Sequence, residues 1–334
     1  MKHACLLMFV CLILLTALNV MGQEQNSKVA IAPIPAGEKT FDDYEVLVNG
    51  KPVPVYWCRV SAVPLNQTWP GYQRPIEQTE SAGFARWEMQ GTVKVEVRSR
   101  NKINSIRVQP LSRKIKSTQL DDHRIAFDLP KPGPIVVLVN GEHHALHLFP
   151  IALRTKQIDR QAKNLRYFGP GVHDVGILEL NDGESVYVDA GAVVYGSIQA
   201  RGRSHVRVEG PGIVDASRLE RKKSGGVFWF QNCRDVYIGG GVIQRDSNVW
   251  TTNIFNCDDV VVSGTALIGH WRYNSDGIDV CNSRNVLVED AFVRSFDDSL
   301  VVKGIWEHKT KDTANVLFRN CVLWCDWGRA IKIG

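Results

Sequence analysis

Past residue 22 the sequence has no apolar run long enough to cross a bilayer, and nowhere does it show the 3.6-residue apolar period of a helical protein. No cysteine pair has a zinc-site spacing that a second pair completes, so no metal is expected, and no cofactor motif is present. No nucleic-acid-binding motif occurs either, although the formal charge is +5. The one long apolar stretch, Ala4 to Val20, follows Lys2 and His3 and ends at Val20-Met21-Gly22. It reads as a secretory signal rather than an anchor, being only just long enough to span. Cys11 lies inside that run without a lipobox around it. The chain is therefore expected to be secreted or periplasmic, with no membrane span after cleavage. Six of eight cysteines remain once Cys5 and Cys11 are gone. A domain of this size does not need disulfides, and the cysteines are expected to pack as small hydrophobes.

What is present is repetition. Ser185-Val186-Tyr187, His205-Val206-Arg207, Asp235-Val236-Tyr237, Asp259-Val260-Val261, Asn285-Val286-Leu287 and Asn315-Val316-Leu317 open similar phrases, with valine intervals of 20, 30, 24, 26 and 30. Each continues into β-branched runs broken by Gly, Asn or Asp, which read as short strands. A loose period in the twenties points to a solenoid, and no leucine consensus suggests a leucine-rich repeat. The fold class expected is all-β: a right-handed parallel β-helix preceded by a small antiparallel β-sandwich. The alternative is an ordinary sandwich with accidental periodicity. Asn232-Cys233 and Asn256-Cys257, 24 apart, look like one ladder inside the coil, with Cys281 at a similar interval.

The organisation follows. Residues 1–22 are the signal and 23–39 a polar leader. Residues 40–152 form the sandwich, with hairpin signals at Asn49-Gly50 and Asn140-Gly141. Residues 153–164 are a linker, and 165–334 the β-helix. The repeat is still running at Gly334, so a further coil is expected beyond it. Nine basic residues between Lys94 and Arg124 suit a solvated face, with attraction of an acidic polysaccharide as the alternative. Trp57, Trp69 and Trp87 are assigned to packing, with carbohydrate binding as the alternative.

The chemistry lies in Asn274-Ser275-Asp276-Gly277-Ile278-Asp279 and Phe296-Asp297-Asp298-Ser299. Asp276 precedes Asp297 by 21 residues and Asp298 by 22, about one repeat. Stacked coils would therefore gather three carboxylates, an arrangement that resists full ionisation and suits acid/base work. Asn-Ser-Asp-Gly followed one turn later by Asp-Asp resembles the signature of glycoside hydrolase family 28, the polygalacturonases and their relatives. A sandwich directly before the helix is similar to family 49, the dextranases and isopullulanases. The resemblance implies that Asp297 is the general acid and that Asp276 and Asp298 hold and deprotonate the attacking water, with inversion. Asn274, Asp279, Lys303, Arg329, Trp271 and Trp306 are the expected substrate-binding residues. Two departures stand out. Arg329, in Gly328-Arg329-Ala330, occupies the place of the histidine in the family's Gly-His-Gly, and the family's Arg-Ile-Lys is not present.

The function expected is hydrolysis of a polysaccharide, pectin or polygalacturonan first, by a monomer. Plain polygalacturonate is expected to be a weak substrate because of the departures. A polysaccharide lyase of the same fold and a non-catalytic glycan-binding β-helix are the alternatives.

Overall fold

The computed structural model describes residues 27–62, 75–155, 157–221, 223–305 and 311–334. The expected signal, Trp69 and Trp306 lie outside them. Among the described residues there is no α-helix; thirty strands and two 3₁₀ turns make up the regular structure.

The first half folds as two antiparallel sheets with one parallel pair. Tyr44–Val48, Val93–Ser99 and Arg124–Leu129 anchor one sheet. Val55–Ser61, Thr79–Gln90, Leu146–Ala152 and Ile135–Val139 build the other, in which Leu146–Ala152 runs parallel to Thr79–Gln90. Strict alternation on Val93–Ser99, with Val93, Val95 and Val97 buried, fills the space between them. Asn49 and Gly50 have φ of 48° and 73°, as the hairpin signal requires, and Asn140 and Gly141 have 59° and 127°. The expected leader needs correction. Lys28–Ala30 pairs with Glu88 to Gln90 as a strand of the sandwich, and Glu38 reaches a buried arginine of the β-helix.

The second half is a right-handed parallel β-helix with three strands per coil. The first face runs from Leu165–Phe168 to Ala314–Arg319, all parallel. The long strand Ala192–Arg201 bends through Gly196 and so belongs to both remaining faces. Its first part pairs with Ile213–Asp215 and its last part with Phe228–Gln231. Each strand sends alternate residues inward, so Val206, Val236, Val260, Val286 and Val316 stack as one column of the core. The first interval read from the sequence does not hold, because Val186 pairs with Val208, not Val206.

The residues before those valines explain the recurring phrase. His205, Asp235, Asp259, Asn285 and Asn315 all have φ between 52° and 59°. Asn and Asp are the side chains best able to enter this left-handed region. They also ladder: Asn285 Nδ2 donates to Asp259 Oδ1 at 2.9 Å and Asn315 Nδ2 to Asn285 Oδ1 at 3.0 Å. The cysteine ladder holds for Cys233 and Cys257, whose neighbours Asn232 and Asn256 are likewise left-handed. Its third rung is Ser283, not Cys281: Cys233 N donates to Cys257 Sγ and Cys257 N to Ser283 Oγ. Cys281 lies in the strand Ile278–Cys281.

The sandwich covers the second face of the helix. Tyr56, Cys58, Val60 and Phe149 pack with Ile213, Ile243, Ala266 and Phe292 in one buried cluster. The seam also holds Arg245, which pairs with Glu38 at 2.7 Å and with Asp215.

Candidate active site

Strand register brings the aspartates together. Ile278 pairs with Leu300, and Leu300 with Ile331. Asp276, Asp298 and Arg329 each stand two residues before one of these. They therefore occupy equivalent corners of successive coils, about 4.8 Å apart. Backbone bonds tie the corners: Gly277 N donates to Asp298 O at 2.8 Å, and Ser299 N to Arg329 O at 2.8 Å. Asp297 N donates to Ser275 O at 3.3 Å, which places Asp297 over the Asn274–Asp276 turn.

The glycines make this stacking possible. A Cβ on Gly277 would collide with Ser299 O and with Val293. A Cβ on Gly328 would lie 2.6 Å from the Asp297 carbonyl carbon and from Asp298 N. The Asp-Gly of the motif is thus a close-approach requirement of the coil below Asp298. Gly328 does the same for the coil above.

Electrostatics separate the carboxylates. Asp276 is 3% exposed, and burial, then Asp279 and Asp297, push its pKa well above the usual carboxylate range despite Lys303. Lys303 Nζ lies 3.8 Å from Asp276 Oδ2 and 2.7 Å from Asp279 Oδ1. Asp279 is fully buried; burial raises its pKa to about 6 and Lys303 restrains the rise. Burial opposes the charge of Lys303, but Asp279 and Asp276 overcome it and hold its pKa up. Asp297 is part-exposed and also raised, by burial and then by Asp298. Asp298 has a different setting. Its Oδ1 accepts Arg329 N at 2.9 Å, and its Oδ2 faces Lys332 Nζ at 2.9 Å.

The expected substrate residues fall in several places. Lys303 sits among the aspartates, with its ammonium 3.5 Å from the Trp250 ring centroid. Asp279 lies beneath Lys303 with no exposed surface. Arg329 touches Asp298 through its backbone, while its side chain is 69% exposed with Nη1 3.8 Å from Asp298 Oδ1. Asn274 has φ 57° and turns the chain into Asp276. Trp271 is half-buried against Arg59 and Arg272. Arg59 and Arg221 were not legible as site residues. Arg59 belongs to the sandwich, and Arg221 reaches Tyr273 O across 52 positions.

Residues 188–334 match the family Glycosyl hydrolases family 28. This stretch, a little under half of the chain, holds every aspartate of the cluster. Dex49A from Penicillium minioluteum has a solved structure similar to this chain, with a TM-score of 0.68, 15% identity, and coverage of 89% of this chain and 73% of its own. That likeness establishes the shared fold, sandwich and β-helix together. The family 28 exopolygalacturonase of Yersinia enterocolitica aligns with a TM-score of 0.44 and 14% identity, covering 94% of this chain and 69% of its own. No curated protein of similar sequence is found.

Proposed function

We propose that the protein is a secreted or periplasmic hydrolase of a polysaccharide, of the pectic kind first, working with water and the cluster Asp276, Asp297 and Asp298. The observation that carries this reading is the registry of Asp276 with Asp298 on adjacent coils, with the part-exposed Asp297 held between them and Lys303 against Asp276.

Asp297 suits the acid. Its raised pKa keeps a proton available, and it is the least buried of the three. It gives that proton to the glycosidic oxygen as the bond to the anomeric carbon breaks. Water held by Asp298 and Asp276 attacks the opposite face of that carbon, and the cluster takes up the water's proton. Lys332 and the Arg329 N–H meet the charge of Asp298, which fits it to hold the attacking water. Attack from the opposite face gives inversion.

Asp297→Asn is expected to reduce reducing-sugar release across a polysaccharide panel by about 100-fold or more, the usual scale for losing a general acid. Its melting temperature should stay close to wild type. Unchanged turnover would remove Asp297 from the role. A product absorbing in the ultraviolet would mean elimination rather than hydrolysis.

A further inference from the structure

Beside the aspartate cluster lies a second concentration of charge, built from both halves of the molecule. The Trp271 ring has the Arg59 guanidinium 5.7 Å from its centroid and that of Arg272 4.5 Å away. Arg59 projects from the sandwich strand Val55–Ser61 and also lies 5.4 Å from the Trp57 ring, which Lys39 approaches at 5.1 Å. Arg221 comes from the loop between Ile213–Asp215 and Phe228–Gln231. It donates to Tyr273 O at 2.7 Å and Asn248 O at 3.2 Å.

The local balance of charge is uneven. Arg272 pairs with Asp246. Arg59 donates to the Thr79 hydroxyl at 2.7 Å and Arg221 to backbone carbonyls; neither has a carboxylate partner among the described residues. Asp215, which also acts on Arg272, is already taken by Arg245. Trp271 Nε1 is buried without an acceptor among the described residues. Burial, then repulsion from Arg221 and Arg59, draws the Arg272 pKa down to about 10 although Asp215 opposes the fall. Half-buried like charges are costly, and donors without acceptors add to that cost. A carboxylate or sulfate would relieve both, and guanidinium forks are matched to either.

The location gives this surplus a purpose. Ser275 N and Ser275 Oγ both donate to Arg272 O, at 3.1 and 2.5 Å, so Arg272 sits on the turn that delivers Asp276. At the aspartates themselves the cations are committed, Lys303 to Asp279 and Lys332 to Asp298. We propose that Arg59 and Arg272 against Trp271, with Arg221 at the neighbouring Tyr273, form a subsite for the anionic group of an acidic glycan, one position away from the cleaved bond and shared by sandwich and β-helix. The substrate is then a heteropolysaccharide that carries an acidic sugar next to the residue being cleaved. This rests on the hydrolase reading above.

The test compares a galacturonate-containing pectic heteropolysaccharide with the same polymer after chemical reduction of its carboxyl groups, which leaves the linkages intact. Reduction should raise KM at least about tenfold, the scale of one charge-assisted hydrogen bond. Arg59→Gln and Arg221→Gln should each shrink that preference to about twofold, with Arg59→Lys restoring part of it. Equal KM for both polymers in the wild type, or a preference untouched in both glutamine variants, would overturn the subsite. If no glycan is hydrolysed, equilibrium binding of oligogalacturonides decides. Binding weakened by Arg59→Gln keeps the subsite and sinks the hydrolase reading, whereas no binding by either protein sinks the subsite. Competition by a sulfated oligosaccharide against an oligogalacturonide shows which anion is preferred.

Discussion

Asp276 shows what the site costs. Its Oδ1 is buried with no hydrogen-bond partner among the described residues, and three other aspartates surround it. A carboxyl whose folded pKa lies above its unfolded value binds its proton more tightly in the native state. Between the two values stability therefore falls as pH rises. At pH 7, above the unfolded pKa of about 4, the native protein carries that penalty; below the unfolded pKa it vanishes. Asp276→Asn is thus expected to lose hydrolysis yet unfold at a higher denaturant concentration than wild type at pH 7. The gap should close near pH 4. Equal stability at both pH values would mean that the burial of Asp276 is relieved in some other way. With Asp297 as the proposed acid, hydrolysis is expected to fall as pH climbs through its raised pKa, a decline that a pH–rate profile checks.

At the scale of elements, the coil is held by its bends as much as by its strands. Asn285 combines a left-handed backbone with one hydrogen bond to the coil on each side. Asn285→Ala meets the steric cost of that region and loses both bonds, and should destabilise the helix by about 2 kcal/mol. Asn285→Gly should recover the backbone share alone. A urea titration of the pair separates the two contributions, and an alanine variant as stable as wild type would show that the bend tolerates other geometries. The same ladder explains why the sequence repeat was readable and why its first interval failed. The left-handed residue fixes the phrase from His205 onward, whereas Ser185 is not among the residues with positive φ and its strand registers on Val208 instead.

For the molecule as a whole, the decisive contact is the seam. Arg245 is buried between Glu38 and Asp215, and its guanidinium also donates to Tyr195 Oη at 3.1 Å. Nearby, Arg294 lies 3.3 Å from both Asp326 and His147 Nε2, so a second buried arginine bridges helix and sandwich. Burial and the adjacent Arg294 lower the His147 pKa to about 3, so this imidazole is neutral at physiological pH. Arg245→Met would strand two carboxylates away from water, a loss of about 3–5 kcal/mol. Limited proteolysis should then cut between the sandwich and the helix faster than in wild type. An unchanged cleavage rate would show that the apolar cluster of Tyr56, Phe149 and Phe292 holds the seam without the ion pairs. Because Arg59 reaches Trp271 across this junction, loosening it should also weaken substrate binding.

The sequence by itself determined the parallel coil and the convergence of Asp276, Asp297 and Asp298. Both follow from local rules: alternating side chains, left-handed Asn and Asp at the bends, and a 22-residue interval that equals one turn. It also marked the sandwich, through the Asn-Gly turns. Only the tertiary structure decided that Asp279 is sealed under Lys303, that Lys332 meets Asp298, that Lys28–Ala30 and Glu38 belong to the folded body, and that Arg59 meets Trp271 and Arg221 meets Tyr273. Those depend on which face the sandwich covers and on loops meeting across many residues. No local pattern encodes such contacts, because they form only where two separately folded surfaces bury each other's charges.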